Sequence, residues 1–354
     1  MHVKRIIYEN YRNIANADIE LSDDVNVFCG MNAQGKTNLL EGIYLFACGK
    51  SFRGASDKEL VRLGSESGRV KLDFEDGQRK RSHEIRLFSA ERRICLKEDI
   101  KISRISDFIG IFRAVLFSPE HLSIVKDGPA ERRGFCDIAI SQLYPAYMAS
   151  LAKYKKLLTE RNSLLKEPES YGFDGVISVI SAQMAKEAAF ISAHREAYVK
   201  RLTEKVFEVI SDMTCGRERA SISYETRRSE EEYLKLLTSN LSKEIAAKTT
   251  LYGIHKDDIS VSLNGLDSRV FASQGQQRSI ALAMKIAEGE ISKEISGEYP
   301  VFLFDDILSE LDEKRKDFIL SGLSGRQVII TGCEEIKKGK IFTVESGLAA
   351  VREA

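Results

Sequence analysis

No stretch of this 354-residue chain is apolar for long enough to span a bilayer, and its opening, Met1-His2-Val3-Lys4-Arg5-Ile6, carries no apolar signal core. A cytoplasmic protein with no membrane span is therefore expected. The six cysteines (Cys29, Cys48, Cys95, Cys136, Cys215, Cys333) are far apart and contain no C-x-x-C pair. That spacing excludes a cysteine zinc site and fits free thiols in a reducing compartment. His2, His83, His121, His194 and His255 are equally scattered and suggest no metal cluster. Lys plus Arg number 53 and Asp plus Glu number 53, so no overall basic field announces nucleic acid. Any such contact must come from a local patch. Proline is absent between Pro168 and Pro300.

What is present is a globular composition, 43% hydrophobic and 30% charged, in a chain long enough for two domains or one domain with an insertion. The plan is set by Val25–Asn38. Val25, Val27, Phe28 and Cys29 form a short β-prone apolar run. Gly30, then Met31-Asn32-Ala33-Gln34, then Gly35-Lys36-Thr37 follow at once, the phosphate-loop pattern GxxxxGK[ST]. Asn38 opens an apolar-faced helical stretch reaching Phe46. Strand, glycine loop and helix in that order are the context the motif requires. Glycines let the loop turn its N–H groups onto a phosphate, and the helix start adds positive potential. Lys36 is placed for the β- and γ-phosphates, and the Thr37 hydroxyl for Mg²⁺. The chain should bind a nucleotide.

Pro300-Val301-Phe302-Leu303-Phe304-Asp305-Asp306 is an apolar strand ending in two acids. Asp305 suits the Mg²⁺ ion, and Asp306 could orient or deprotonate the attacking water. A second strand, Val328-Ile329-Ile330, ends at Thr331. Thr37 and Asp305 are 268 residues apart, far more than one crossover needs, so an insertion must split the nucleotide domain. That gap disfavours small-molecule kinases. A GTPase is disfavoured as well: Asp107-Phe-Ile-Gly110 matches DxxG, but no NKxD segment exists.

The insertion has a helical texture. Leu151, Tyr154, Leu158, Arg161 and Leu165 fall three or four apart, and Ile177 to Val209 repeats that spacing over a longer span. Together they read as a helical hairpin or as ordinary core helices. Ser229 with Glu232 is a capping box for a helix to about Ala247. Alternating segments from Arg69 to Glu75 and Arg81 to Phe88 predict a hairpin with one wet face. Around it lie Arg79, Lys80, Arg81, Arg92, Arg93, Lys97, Lys101 and Arg104, a phosphate-backbone footprint or a solvated face. Arg12, beyond the first strand, could fork onto a phosphate. Ser273 caps a helix with the buried stripe Ile280, Met284, Ala287 and Ile291, and a polar Ser-x-Gly there suits an anion.

The set resembles an ABC-type ATPase head: Walker A at Gly30–Thr37, a signature at Ser273-Gln274-Gly275-Gln276-Gln277, Walker B at Phe302–Asp305, and a D-loop at Ser309-Glu310-Leu311-Asp312. More closely it resembles the RecF family. Tyr11-Arg12-Asn13, Phe117-Ser118-Pro119-Glu120, Arg132-Arg133, Arg161-Asn162, Leu164-Leu165-Lys166 and Gly253-Ile254-His255-Lys256-Asp257-Asp258 complete the likeness along essentially the whole chain. Gly253–Lys256 departs from that family's usual proline and arginine.

The resemblance implies an α/β fold, an ABC-type head split over 1–120 and 251–354, with an α-helical arm inserted at 121–250. It implies ATP held by Arg12 and Gly30–Asn38, Mg²⁺ on Thr37 and Asp305, and catalysis by Asp306, Lys36 and Thr331. Transporters carry glutamate and a switch histidine where this chain has Asp306 and Thr331, as the RecF family does, which implies slow, timer-like hydrolysis. The family further implies an ATP-dependent homodimer in which Ser273 and Gly275 cap the partner's ATP. That dimer would sit on double-stranded or gapped DNA, with RecR and RecO as partners in RecA loading. Two other readings remain: an SMC-like structural DNA clamp, whose long coiled coil is missing, and a P-loop enzyme acting on a small molecule.

Overall fold

Alternating strands and continuously apolar strands build two different sheets. The computed structural model describes residues 1–322, 325–333 and 339–352. The chain opens with β1 (His2–Tyr11), β2 (Ile14–Glu20) and β3 (Val25–Cys29), followed by β4 (Ser67–Glu75), β5 (Lys80–Phe88), β6 (Ile94–Lys97), β7 (Ile100–Ile102) and β8 (Ala114–Phe117). Then come β9 (Ala220–Ser223), β10 (Ser260–Leu263) and β11 (Leu266–Asp267), and finally β12 (Val301–Asp305), β13 (Val328–Gly332), β14 (Lys340–Glu345) and β15 (Leu348–Val351). By packing, Met1–Leu122 with Leu282–Ala354 forms one unit, the head, and Ser123–Ala281 forms the other, the lobe. Residues 251–281, expected in the head, thus group by packing with the lobe, Ser273–Gln277 among them.

In the head, an antiparallel sheet runs β2-β1-β4-β5-β6-β7. Its strands alternate, so Val70, Leu72, Phe74, Ile85 and Leu87 face a core shared with Leu39, Ile43, Phe46, Phe108 and Phe112. The outer face is polar and paired in sign: Arg5 with Asp18 at 2.5 Å, Arg69 with Glu9 at 2.7 Å, and Arg86 with Glu84 at 2.5 Å. Two of the eight basic residues around the β4–β5 hairpin are spent in the same way, Arg81 on Asp76 and Arg93 on Asp57.

The second head sheet runs β15-β14-β3-β13-β12-β8, with β14, β3, β13, β12 and β8 parallel. Strands β3, β12 and β8 are buried along their whole length, as a sheet covered on both faces requires. Register then decides position. Asp305 pairs with Thr331, Thr331 with Phe28 and Gly332 with Cys29, so the C-terminal ends of β12, β13 and β3 lie side by side. That edge is where ligands bind in open α/β sheets.

The lobe is helical, with helices at Pro129–Leu143, Pro145–Leu164, Phe173–Thr214 and Glu230–Ser239 beside the small sheet β11-β10-β9. The 42-residue Phe173–Thr214 helix passes a length and hydropathy test for crossing a membrane. Its apolar stripe, however, is buried in the lobe from Ile177 through Met184, Ile191, Tyr198 and Leu202 to Ile210. The helix expected to run from Ser229 to about Ala247 starts on its capping box but breaks at Asn240 and resumes as Leu241–Ala247. The side chains of Thr238, Ser239 and Asn240 each bond back to a carbonyl of the preceding turn, competing with the helix ladder.

Candidate nucleotide site

The glycine loop joins the end of β3 to a helix at Lys36–Cys48, as the sequence requires. Gly35 has φ +107°, and a Cβ there would lie 2.7 Å from the Asn13 side chain. Gly30 lies so close to the Val344 carbonyl of β14 that no side chain fits. The loop is braced from outside. The Gln34 carbonyl accepts from the Gly347 N–H at 2.8 Å, the Gln34 side chain from the Ser346 N–H at 2.7 Å, and Asn32 from the Cys333 thiol at 3.0 Å.

Lys36 is buried and folded into the loop. Its Nζ donates to the Gly30 and Met31 carbonyls at 2.6 and 2.9 Å. Thr37, the first turn's hydroxyl, donates to Asp305 Oδ1 at 2.9 Å, and Thr331 donates to the same oxygen at 2.7 Å. Burial raises the pKa of Asp305; the bonds from Thr331 and Thr37 oppose the rise, and the Asp306 charge adds to it. A cation beside Asp305 would relieve that burial. Asp306 takes φ +51°, its N–H held by both the carbonyl and the hydroxyl oxygen of Thr331 at 3.1 Å. Ser309 in turn donates to the Asp306 carbonyl at 2.9 Å, tying Leu308–Glu310 to the site. Leu311 is buried, and Asp312 is paired with Arg315 at the start of the next helix.

These groups line a hollow of about 420 Å³ together with Asn32–Asn38. Its other walls are Phe52, Arg53, Ser118, Pro119 and Glu120, residues not singled out for the site from sequence. Phe52 and Arg53 lie in the loop after the first helix, whereas the Phe117-Ser118-Pro119-Glu120 stretch is visible in the sequence as a landmark. What brings the latter here is the pairing of β8 with β12, Phe117 opposite Phe304. Arg12 takes another position. Its Nε and Nη2 clasp the buried Glu41 carboxylate at 2.8 Å, so the fork expected on a phosphate is closed on a carboxylate. It lines a second hollow of about 1020 Å³, which shares Asn38 and Arg53 with the first and adds Lys58, Arg62 and Leu63.

Among the described residues no group of three His, Cys, Asp or Glu could cage a metal. One carboxylate beside one hydroxyl instead fits a hydrated Mg²⁺ that arrives on phosphates.

In the lobe, Ser273 and Gln276 form a reciprocal cap: the Ser273 N–H donates to Gln276 Oε1 at 2.8 Å and the Gln276 N–H to Ser273 Oγ at 3.3 Å. They start the 23-residue helix Gln274–Ser296. Gln276 also donates to Glu218, and Gln277 to the Ser268 carbonyl, while Ser273 and Gln274 stay exposed.

Comparison with known proteins gives a single answer. The family described as RecF/RecN/SMC N terminal domain matches residues 2–336. A DNA replication and repair protein RecF of Clostridium kluyveri is 39% identical over 98% of this chain and 99% of its own length. Its namesake in Clostridium acetobutylicum is 38% identical over 99% of each chain. A solved structure of the recombination mediator protein RecF with ATP, from the RecFOR pathway, superposes with TM-score 0.93 at 32% identity, covering 99% of this chain and 98% of that one. An Smc head domain from Pyrococcus furiosus matches with TM-score 0.59 at 15% identity, a likeness of fold.

Proposed function

The chain belongs to the RecF family of DNA replication and repair proteins, ABC-type ATPases, and from that premise we propose that it is an ATP-driven clamp for DNA at single-strand gaps. The observation that carries this reading is the Thr37–Asp305–Thr331 array at the mouth of the glycine loop. ATP places its phosphates on the loop's N–H groups, and Lys36 leaves its two carbonyls for the β- and γ-oxygens. Thr37 and Asp305 would hold Mg²⁺, which would supply positive charge to the phosphates. Asp306, fixed by Thr331, orients the attacking water. Sugar and base extend toward the larger hollow past Asn38 and Arg53.

In this reading Ser273 and Gly275 of a second copy cap the γ-phosphate, so two ATP molecules bridge two chains. Nucleotide shifts a monomer–dimer equilibrium because its contacts differ between the two states. An aspartate base and no imidazole make hydrolysis slow, and its completion releases the clamp. Contacts to DNA are to the backbone, hence salt-dependent and indifferent to sequence. RecR and RecO cooperate with the dimer in the cytoplasm to load RecA.

The test is sedimentation with a non-hydrolysable ATP analogue, paired with ATPase rates with and without duplex DNA. Wild type should dimerise with analogue and hydrolyse faster on DNA. Lys36→Ala should stay monomeric. Ser273→Arg should bind nucleotide normally yet neither dimerise nor hydrolyse; normal dimers of that variant would refute capping in trans.

A further inference from the structure

Three large apolar side chains stand in solvent directly ahead of the signature serine. Leu266 is 54% exposed, Val270 67% and Phe271 64%. The segment that carries them is not loose. The Ala272 N–H donates to the Ser268 carbonyl at 3.3 Å, Gln277 Nε2 to the same carbonyl at 3.1 Å, and the Gln277 N–H to the Ser273 carbonyl at 2.9 Å. Val270, Phe271 and the signature cap are therefore one small body, and wherever Ser273 goes Phe271 goes too.

A matching group stands on the glycine loop. Met31 is 80% exposed, although its carbonyl takes the Lys36 ammonium at 2.9 Å. Its side chain is absent from the lining of the phosphate hollow, which begins at Asn32. A thioether beside a phosphate site has nothing polar to offer an anion.

We propose that Phe271, with Val270 beside it, docks on Met31 of a second copy of this chain, forming an apolar seam along each capped nucleotide. This rests on the trans-capping reading. If Ser273 sits on the partner's γ-phosphate, Phe271 is two residues away, a reach of at most about 7 Å. Met31 lies one residue from the glycine that starts the same loop. An aromatic ring against a methionine sulfur is a favourable and adaptable contact. The two-fold relation makes the seam occur twice. The seam closes only when both chains are in register, so it strengthens the nucleotide-bound dimer without touching the nucleotide.

The experiment is a double-mutant cycle on the full chain, with Phe271→Ala, Met31→Ala and the double variant. The readout is the dimer dissociation constant with a non-hydrolysable ATP analogue, and monomer binding of a fluorescent analogue is measured separately. Losing one buried ring is worth about tenfold per contact, so Phe271→Ala should weaken dimerisation on the order of a hundredfold over the two seams. Its monomer nucleotide binding should be unchanged. The double variant should be no weaker than the worse single, because both remove the same contact. Phe271→Leu should keep most of the affinity. If wild type dimerises and Ser273→Arg does not, while Phe271→Ala dimerises like wild type or the two alanines add fully, the seam is refuted and the capping survives. If wild type binds the analogue and never dimerises, both fall.

Discussion

The head contains two six-stranded sheets with opposite habits. In the antiparallel one the long strands have a dry and a wet face, and the wet face is a mosaic of Arg–carboxylate pairs. In the parallel one the central strands are buried on both faces, and β12 and β13 turn polar at their C-terminal ends, at Asp305 and Thr331. Charge on the first is spread over solvent and screened; charge on the second is gathered at one edge, half-desolvated, and aimed at a single hollow. Counting basic residues therefore misleads here. The densest run of basic residues lies on an open surface, and the candidate nucleotide site lies where charges are few and buried.

The largest test of that contrast is at the parallel edge. Asp305→Asn keeps an acceptor for Thr37 and Thr331 but removes the charge, so ATP hydrolysis should fall on the order of a hundredfold or more. The melting temperature should hold or rise, because burial already disfavours the carboxylate. A variant that melts early would mean that Asp305 is structural.

An intermediate effect is expected on the dry face of the antiparallel sheet. His83 is buried among Phe74 and Phe108 with neither ring nitrogen bonded. Burial, reinforced by Lys97, Arg81 and Arg79, lowers its pKa to about 4 from 6.5. A base depressed in the fold gives stability that is present above 6.5 and is lost as pH falls toward 4. The loss at pH 4 should be about 3 kcal/mol, and His83→Phe should lack it in denaturant titrations at pH 7 and pH 4. Equal slopes in both proteins would place the histidine in water.

The smallest effect belongs to the wet face. Arg5→Ala breaks an exposed pair and should cost less than about 1 kcal/mol, vanishing in high salt. A larger loss would make that mosaic part of the framework.

Much of the candidate site is marked in the sequence by residue types that have few substitutes. Gly30 and Gly35 have no room for a Cβ, and Lys36, Thr37 and Asp305 each answer one charge or one oxygen. What escaped was set by pairing across distance. Ser118–Glu120 reach the hollow only because β8 lies beside β12, and nothing local announces that neighbour. Arg12 looked free for a phosphate because Glu41 resembles any polar position in an amphipathic helix. The lobe hid its own logic as well. Arg161 and Glu244 form a wholly buried pair at 2.7 Å, and Arg195 reaches Asp137 at 2.9 Å and the Ile254 carbonyl at 2.8 Å. Such pairs fix which helix neighbours which, a matter on which periodicity is silent.

The brace behind the glycine loop has a consequence for assembly. Gly30 rests on Val344, and Gln34 is pinned by Ser346 and Gly347, so the cradle is shaped by the β14–β15 hairpin, 312 residues further on. A ribosome translating this message makes the loop hundreds of codons before the wall it leans on. A chain cut short after β13 would keep every nucleotide motif discussed above, yet present them on an unsupported rim.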